Sequence, residues 1–293
     1  GIFFDLGADE ILEDDSAQIT GSDSGNLFVR FKGTSPAEGI FFNCHMDTVE
    51  PAKGVKVRRE NDTFFSVGDT VLGSDDKSGI AAVIEAIHYL RENNVPHGPI
   101  EIILTTCEEI GLLGAKSLDL SMINAKIGYA LDSTGIDMVI IGAPAANHLE
   151  ITVHGVAAHA GLHPEWGINA ITLAGKAMTG FPQGRIGDQS SINIGTILGG
   201  TASNIVPDKV TLIGEVRSHS EEYLQQLTDQ VQSSFESVVQ EWLDPTGQAR
   251  GEPRLTFTVY PDFPVMTLAR NDRVIRHIET AARSTGLELA YKV

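Results

Sequence analysis

From about Leu27 to Ala146, apolar runs of strand length alternate with helical patterns. Residues 27–31 and 40–44 read as strands, as do the β-branched run 101–106 and the run 127–131. Between them, residues 78–93 read as a helix. Its apolar positions Ile80, Val83, Ile84, Ile87 and Leu90 follow the three-four spacing, and Asn93, Asn94 and Pro96 end it. Residues 111–118 read as a short helical segment. Strand, helix, strand, helix, strand predicts a largely parallel sheet covered by helices on both faces, an α/β class.

The pattern changes near His148. Residues 148–154 alternate, with Leu149, Ile151 and Val153 on one face. A helix over 167–178 follows, then strands over 191–198 and 209–217 separated by a Gly-Gly and Pro-Asp stretch. Residues 220–242 form a long amphipathic helix with Ser220 as N-cap and Glu221 and Glu222 in its first turn. A strand over 254–260 is closed by Pro261 and Pro264. The order β-α-β-β-α-β is that of a ferredoxin-like domain. After Pro264 come a helix over about 271–284 and a strand-like run, 287–293, that stops at the last residue. A chain ending inside a strand is expected to be a truncated one.

Composition narrows the functional classes. Of 293 residues, 42% are hydrophobic and 20% charged, which is a globular balance and excludes disordered and fibrous classes. No apolar run reaches the roughly 18–20 residues that span a bilayer. The formal charge of −18 opposes binding to phosphate backbones and to anionic membrane surfaces. Two cysteines, Cys44 and Cys107, cannot form a disulfide framework, and there is no Cys-x-x-Cys motif. The start, Gly-Ile-Phe-Phe-Asp, has no basic region followed by a long apolar core, so a cytoplasmic location is expected.

Four polar segments each follow a strand-like run: His45-Met-Asp47, Asp75-Asp76-Lys77-Ser-Gly79, Glu108-Glu109 and Asp132-Ser-Thr. Each alone has an ordinary reading. A His-x-Asp pair is commonplace, Asp75 and Asp76 precede a helix that either could cap, and Glu108-Glu109 could be two exposed charges. Together they stand where ligands bind in an open α/β sheet, at the carboxyl ends of strands. One imidazole among several carboxylates calls for a cation or bound protons. His, Asp and Glu ligands suit Zn²⁺, with Mn²⁺ or Co²⁺ as alternatives. Residues two apart on a strand share a face, so Asp47 can orient the His45 ring. No Gly-x-Ser-x-Gly elbow and no phosphate-binding loop with Gly-Lys-Ser/Thr occurs.

In order, His45-Met-Asp47-Thr-Val, Gly73-Ser-Asp75-Asp76-Lys77-Ser-Gly79, Thr106-Cys-Glu108-Glu109-Ile-Gly111 and Ala130-Leu-Asp132 resemble the metal-site motifs of the co-catalytic zinc metallopeptidases. This is the family of peptidase T, carboxypeptidase G and aminoacylase, and the resemblance is closest to its peptidase T-like branch. Gly155-Val-Ala-Ala-His159-Ala-Gly161 and Ser203-Asn204-Ile-Val-Pro207-Asp208 resemble that family's lid motifs.

The resemblance implies two divalent metal ions bridged by Asp75, with His45 and Asp132 completing one site and Glu109 on the other. Glu108 would be the general base on a metal-bound water, and Asp47 the orienting residue. It implies a cis peptide bond between Asp75 and Asp76. His159 would donate to the developing oxyanion, and Asn204 and Arg217 would hold substrate. The implied activity is hydrolysis of short peptides by a tripeptide aminopeptidase. N-acyl amino acid deacylation, carboxypeptidase activity and an inactive metal- or peptide-binding protein are the alternatives. Residues 1–147 and 264–293 would form the catalytic domain, and 148–263 an inserted lid that can pair two copies into a homodimer. The family's fifth ligand, a His beyond the last helix-strand unit, has no counterpart here. Both ends are therefore expected to be missing, with partial metal occupancy.

Overall fold

The computed structural model describes residues Gly1–Val293. They divide into two compact units, Gly1–Ile136 and Asp137–Val293. No helix is long and apolar enough to cross a membrane.

The first unit runs through α1 (Ile2–Asp5), β1 (Glu10–Glu13), α2 (Ala17–Thr20), β2 (Leu27–Phe31), β3 (Ile40–His45), β4 (Val57–Glu60), β5 (Thr63–Ser66), α3 (Lys77–Glu92), β6 (Ile100–Thr105), α4 (Leu113–Lys116) and β7 (Gly128–Ala130). Five strands form one sheet in the order β1-β2-β6-β3-β7. β3 is parallel to both β6 and β7, whereas β2 runs antiparallel to β6 and β1 antiparallel to β2. The sheet is therefore mixed: a parallel core of three strands with an antiparallel edge.

β6 is buried at every position, which is why its sequence is mostly apolar, with Glu101 and the terminal Thr105 its polar residues. Ile100, Ile102 and Leu104 pack with Val29, Phe31 and Cys44 against Val83 and Ile87 of α3. These helix positions lie on the predicted apolar stripe. Asp76 stands at the N-cap of α3 without a side-chain capping bond. Three residues on, Gly79 has no room for a side chain: a Cβ there would lie 2.4 Å from Asp76 Oδ1 and 2.9 Å from Leu131 Cβ.

The second unit contains β8 (Met138–Ile140), β9 (Gly142–Ala143), β10 (Ala145–His154), α5 (Ala170–Ala177), β11 (Gly184–Ile186), β12 (Ser190–Gly199), β13 (Lys209–Ser218), α6 (Glu221–Gln240), β14 (Arg254–Phe263), β15 (Met266–Thr267), α7 (Arg273–Thr285) and β16 (Ala290–Lys292). Its main sheet is antiparallel throughout, in the order β11-β12-β13-β10-β14. β10-α5-β12-β13-α6-β14 is the expected βαββαβ arrangement. Leu149, Ile151 and Val153 of β10 join Val210, Leu212 and Val216 of β13 under Leu173 and Ala174 of α5 and Leu224, Leu227, Val231 and Phe235 of α6. Ser220 caps α6 as predicted, its Oγ accepting from Tyr223 N–H at 3.2 Å.

Two features of this unit bear on function. β11 pairs only with Ser190–Ile192 of β12, so residues 193–199 leave one strand edge open. The segment after Pro264 makes its strand pairs with residues 138–143: β15 with β9, and β16 parallel to β8. By compactness both segments fall in the second unit.

Candidate metal centre

The three parallel strands of the first unit end at one edge of the sheet, and three of the four polar motifs lie at those ends; residues 71–74, expected as a strand-like run, are irregular, so Asp75 follows no strand. His45 is the last residue of β3. Glu108 and Glu109 lie in the loop after β6, and Asp132 lies two residues beyond β7. Asp75 precedes α3 and is joined to Asp76 by a cis peptide bond, as expected.

The His45 ring is 2% exposed. Its Nε2 lies 3.1 Å from Asp75 Oδ1, 3.7 Å from Asp132 Oδ1 and 4.0 Å from Glu108 Oε2. On the other side Nδ1 lies 3.5 Å from Asp47 Oδ1 and is a buried atom without a hydrogen-bond partner. His45, Asp75 and Glu109 place one potential ligand atom each within 4.8 Å of one another, and so do His45, Glu108 and Asp132. Asp47 uses both carboxylate oxygens on the backbone: Glu108 N–H donates to Oδ1 at 3.0 Å and Glu109 N–H to Oδ2 at 3.1 Å. Lys77 Nζ donates to the Met46 carbonyl at 3.1 Å.

So many carboxylates at one strand edge perturb each other. Burial, then the adjacent Asp75, pushes Asp132 up to about 6. Asp75 is held below its ordinary range by its bonds with Asp132 and His45. Burial raises Glu108, reinforced by Glu109, Asp47 and Asp75 and opposed by His45. Burial alone would lower His45, but Asp75, Asp132, Glu108 and Asp47 outweigh it and raise the imidazole. An imidazole nitrogen facing three carboxylates is a donor set that a divalent cation fits, replacing protons as the compensating charge. The two ligand groups overlap at His45, and Glu108 belongs to one of them, so position alone does not set Glu108 apart from the ligands.

The remaining predicted residues lie in the second unit. His159 is exposed and forms an isolated bridge with Ile205. Its Nδ1 accepts from Gly161 N–H at 3.1 Å. A backbone N–H only donates, so a neutral His159 carries its proton on Nε2, free to donate outward. Ala160 N–H donates to the Asn204 carbonyl at 2.9 Å, which places these two lid residues on paired loops. Arg217, on β13, is engaged with Glu215: its Nε and Nη2 donate to the two carboxylate oxygens at 3.1 and 3.0 Å.

Sequence reasoning did not find Asn26, a wholly buried residue that bonds the loop carrying Glu108 and Glu109. Its signal is only a Gly-Asn pair ahead of a strand, and that pattern reads as a turn.

Comparison with known proteins bears on both units. Residues 26–148 match the model of peptidase family M28, and residues 142–242 that of the peptidase dimerisation domain. The chain is 43% identical over 285 residues to the uncharacterized protein YqjE of Bacillus subtilis, covering 97% of this chain and 74% of that one. It is similar to a crystal structure of aminopeptidase PepT from Bacillus cereus, with a TM-score of 0.90 and 39% identity over 99% of this chain and 76% of that chain. It is also similar to a tripeptidase from Staphylococcus aureus, with a TM-score of 0.91 and 32% identity over 100% of this chain and 76% of that chain.

Proposed function

Because the chain belongs to the peptidase T-like metallopeptidases, we propose that it removes the N-terminal residue from short peptides, tripeptides foremost, at the edge where β3, β6 and β7 end. Hydrolysis of peptide bonds is the activity of this enzyme class. The observation that carries the site is the convergence of His45, Asp75, Glu108, Glu109 and Asp132 on one another.

His45, Asp75, Asp132 and Glu109 hold two divalent ions, with Zn²⁺ the best match to the donor set and Mn²⁺ or Co²⁺ as substitutes. Such ions lower the pKa of water and polarise the scissile carbonyl. Glu108 takes the proton of the attacking water and returns it to the departing amine. Its raised pKa, caused by burial and carboxylate neighbours, suits a group that must first accept and then release a proton. Asp47 keeps Glu108 and Glu109 in place through their backbone N–H groups, and its carboxylate lies 3.5 Å from His45 Nδ1, where its charge favours a proton on that nitrogen. His159 offers Nε2–H to the oxyanion. Asn204 and Arg217 hold the peptide, Arg217 exchanging Glu215 for a substrate carboxylate in the same two-pronged geometry.

The second unit pairs two copies. The open β12 edge, the exposed Ile197 and Leu198 on it and the exposed Ile171 on α5 support this reading, together with the match to a dimerisation domain.

The decisive experiment is Glu108→Gln in the metal-loaded enzyme, read on a panel of tripeptides, dipeptides and N-acetyl amino acids. Tripeptide turnover should collapse while bound metal persists. Undiminished turnover overturns the general-base role, and hydrolysis of acylated amino acids alone overturns the aminopeptidase.

A further inference from the structure

The loop between β6 and α4 carries Glu108 and Glu109, and one side chain from outside it ties its two ends. Asn26, 0% exposed, stands just before β2. Its Oδ1 accepts from Thr106 N–H at 3.1 Å, and its Nδ2 donates to the Gly114 carbonyl at 3.0 Å and to Asp14 Oδ2 at 2.9 Å. A carboxylate and a carbonyl only accept, and a backbone N–H only donates, so the amide has one permitted orientation. Asp14 also receives the Asn26 N–H on Oδ1 at 2.8 Å, which fixes the residue from behind.

The loop is drawn tight at the same place. Gly114 N–H donates to the Thr106 carbonyl at 3.0 Å and Leu113 N–H to the Cys107 carbonyl at 2.9 Å. Only glycine permits this approach. A Cβ on residue 114 would sit 2.1 Å from Thr106 O and 2.7 Å from Asn26 Oδ1. Inside the ring, Cys107 and Leu112 have φ of 54° and 56°, a left-handed conformation that residues with a Cβ keep only where their surroundings enforce it. Asp47 holds the tip of the loop and Asn26 holds its base.

We propose that Asn26, anchored by Asp14, is a positioning residue that aims Glu108 and Glu109 by clamping Thr106 to Gly114. The proposal rests on the reading of Glu108 as the general base. What sets the clamp apart from ordinary core packing is that the polarity of its hydrogen bonds to the loop is fixed.

The test replaces Asn26 with its isostere, Asn26→Asp, which keeps the shape and removes both donors. Kinetics on a tripeptide with the Zn²⁺-loaded full chain should show kcat falling about ten- to a hundredfold with KM within about threefold, as for a reacting group displaced by a fraction of an ångström to an ångström. Amide hydrogen exchange of the metal-free protein should speed up at least about tenfold across residues 106–114. Val29→Ala serves as the control. Val29 is buried in β2 next to the clamp but packs only in the core. That substitution should lower Tm by at least as much and leave kcat within about twofold. Asp14→Ala, at a half-buried site, should give a smaller effect of the same kind and replaces Asn26→Asp if the latter does not fold.

Unchanged exchange across 106–114 overturns the clamp, as does kcat within about twofold of the parent in Asn26→Asp. Equal loss of kcat in Val29→Ala overturns it too, by assigning the effect to general loosening. A parent enzyme that cleaves no peptide sinks the peptidase reading instead, and the exchange measurement then decides the clamp by itself.

Discussion

Asp47 spends its whole carboxylate on structure. Each oxygen takes one backbone N–H, and the residue also lies beside the His45 ring. Charge-assisted bonds of this kind contribute about 1.5–3 kcal/mol each. Asp47→Asn turns one acceptor into a donor facing an N–H that can only donate. The expected result is a loss of roughly tenfold or more in kcat, with the loop rather than the substrate affected, so that KM on a tripeptide stays close to that of the parent.

A second carboxylate outside the site makes a sharper stability test. Glu101 sits on the otherwise apolar β6 and receives Arg30 Nε at 3.1 Å, Asn124 Nδ2 at 2.7 Å and the backbone N–H groups of Asn124 and Ala125 at 2.9 and 2.8 Å. Burial alone would raise its pKa, but the bonds from Ala125 and Asn124 and the charge of Arg30 outweigh it and hold the carboxyl below its ordinary value of 4.5. A depressed folded-state pKa means the stabilisation is full above 4.5 and is lost as pH falls through the folded value. Denaturation curves should show the parent losing stability on acidification below 4.5. Glu101→Gln should be less stable at neutral pH by about 3 kcal/mol and should show a shallower acid slope.

At the level of elements, β12 is the part most exposed to a partner. Its residues 193–199 present unpaired backbone on one side, with Leu198 73% exposed and Ile197 47% exposed. Leu198→Asp puts a charge on the open edge proposed as the two-fold contact and should shift sedimentation from dimer to monomer while leaving α6 helicity intact. A variant that stays dimeric places the contact elsewhere.

What the sequence disclosed of these elements followed from burial. The stripes of α3 and α6, the alternation of β10 and the apolar runs of β3 and β6 were readable because each faces a core. Strand direction was not. β2 has the apolar look of its neighbours yet runs antiparallel, because a strand buried on both faces reads alike in either direction. The β4–β5 hairpin was missed because nearly all of it is exposed, so no core imposes a period on it. The centre itself was legible through His45, Glu108 and Asp132, which sit at or after the ends of recognisable strands, and through Asp75, which leads into the recognisable helix α3 although the apolar run ahead of it is not a strand. Asn26 was not, since a buried polar side chain is defined by partners 80 and 88 positions away.

For the whole molecule the relevant quantity is charge. The chain carries a formal −18, and five of its acids crowd around one imidazole. Two divalent ions leave most of that excess in place, so solubility and metal affinity are separate properties. Folding must nevertheless bring those five together, and the proposed ions would relieve the repulsion only in the folded chain. Chelation should therefore lower Tm, and Zn²⁺ at about a hundredfold excess over its Kd should restore about 2.7 kcal/mol, read by calorimetry. An identical Tm with and without metal argues that no ion binds at this edge.

The Asn26 tie also orders events in time. The ribosome delivers Asn26 well before Gly114 and Asp132. At about 5–20 residues per second, the interval from the first to the last is roughly 5–20 s. Until Gly114 is made the nascent chain has no closed loop behind Glu108, and until Asp132 is made it has no Asp132 beside His45. The pieces of the proposed centre are spread along the message, and the last of them arrives only when the first unit is nearly finished, so the proposed activity belongs to a chain that has completed that unit.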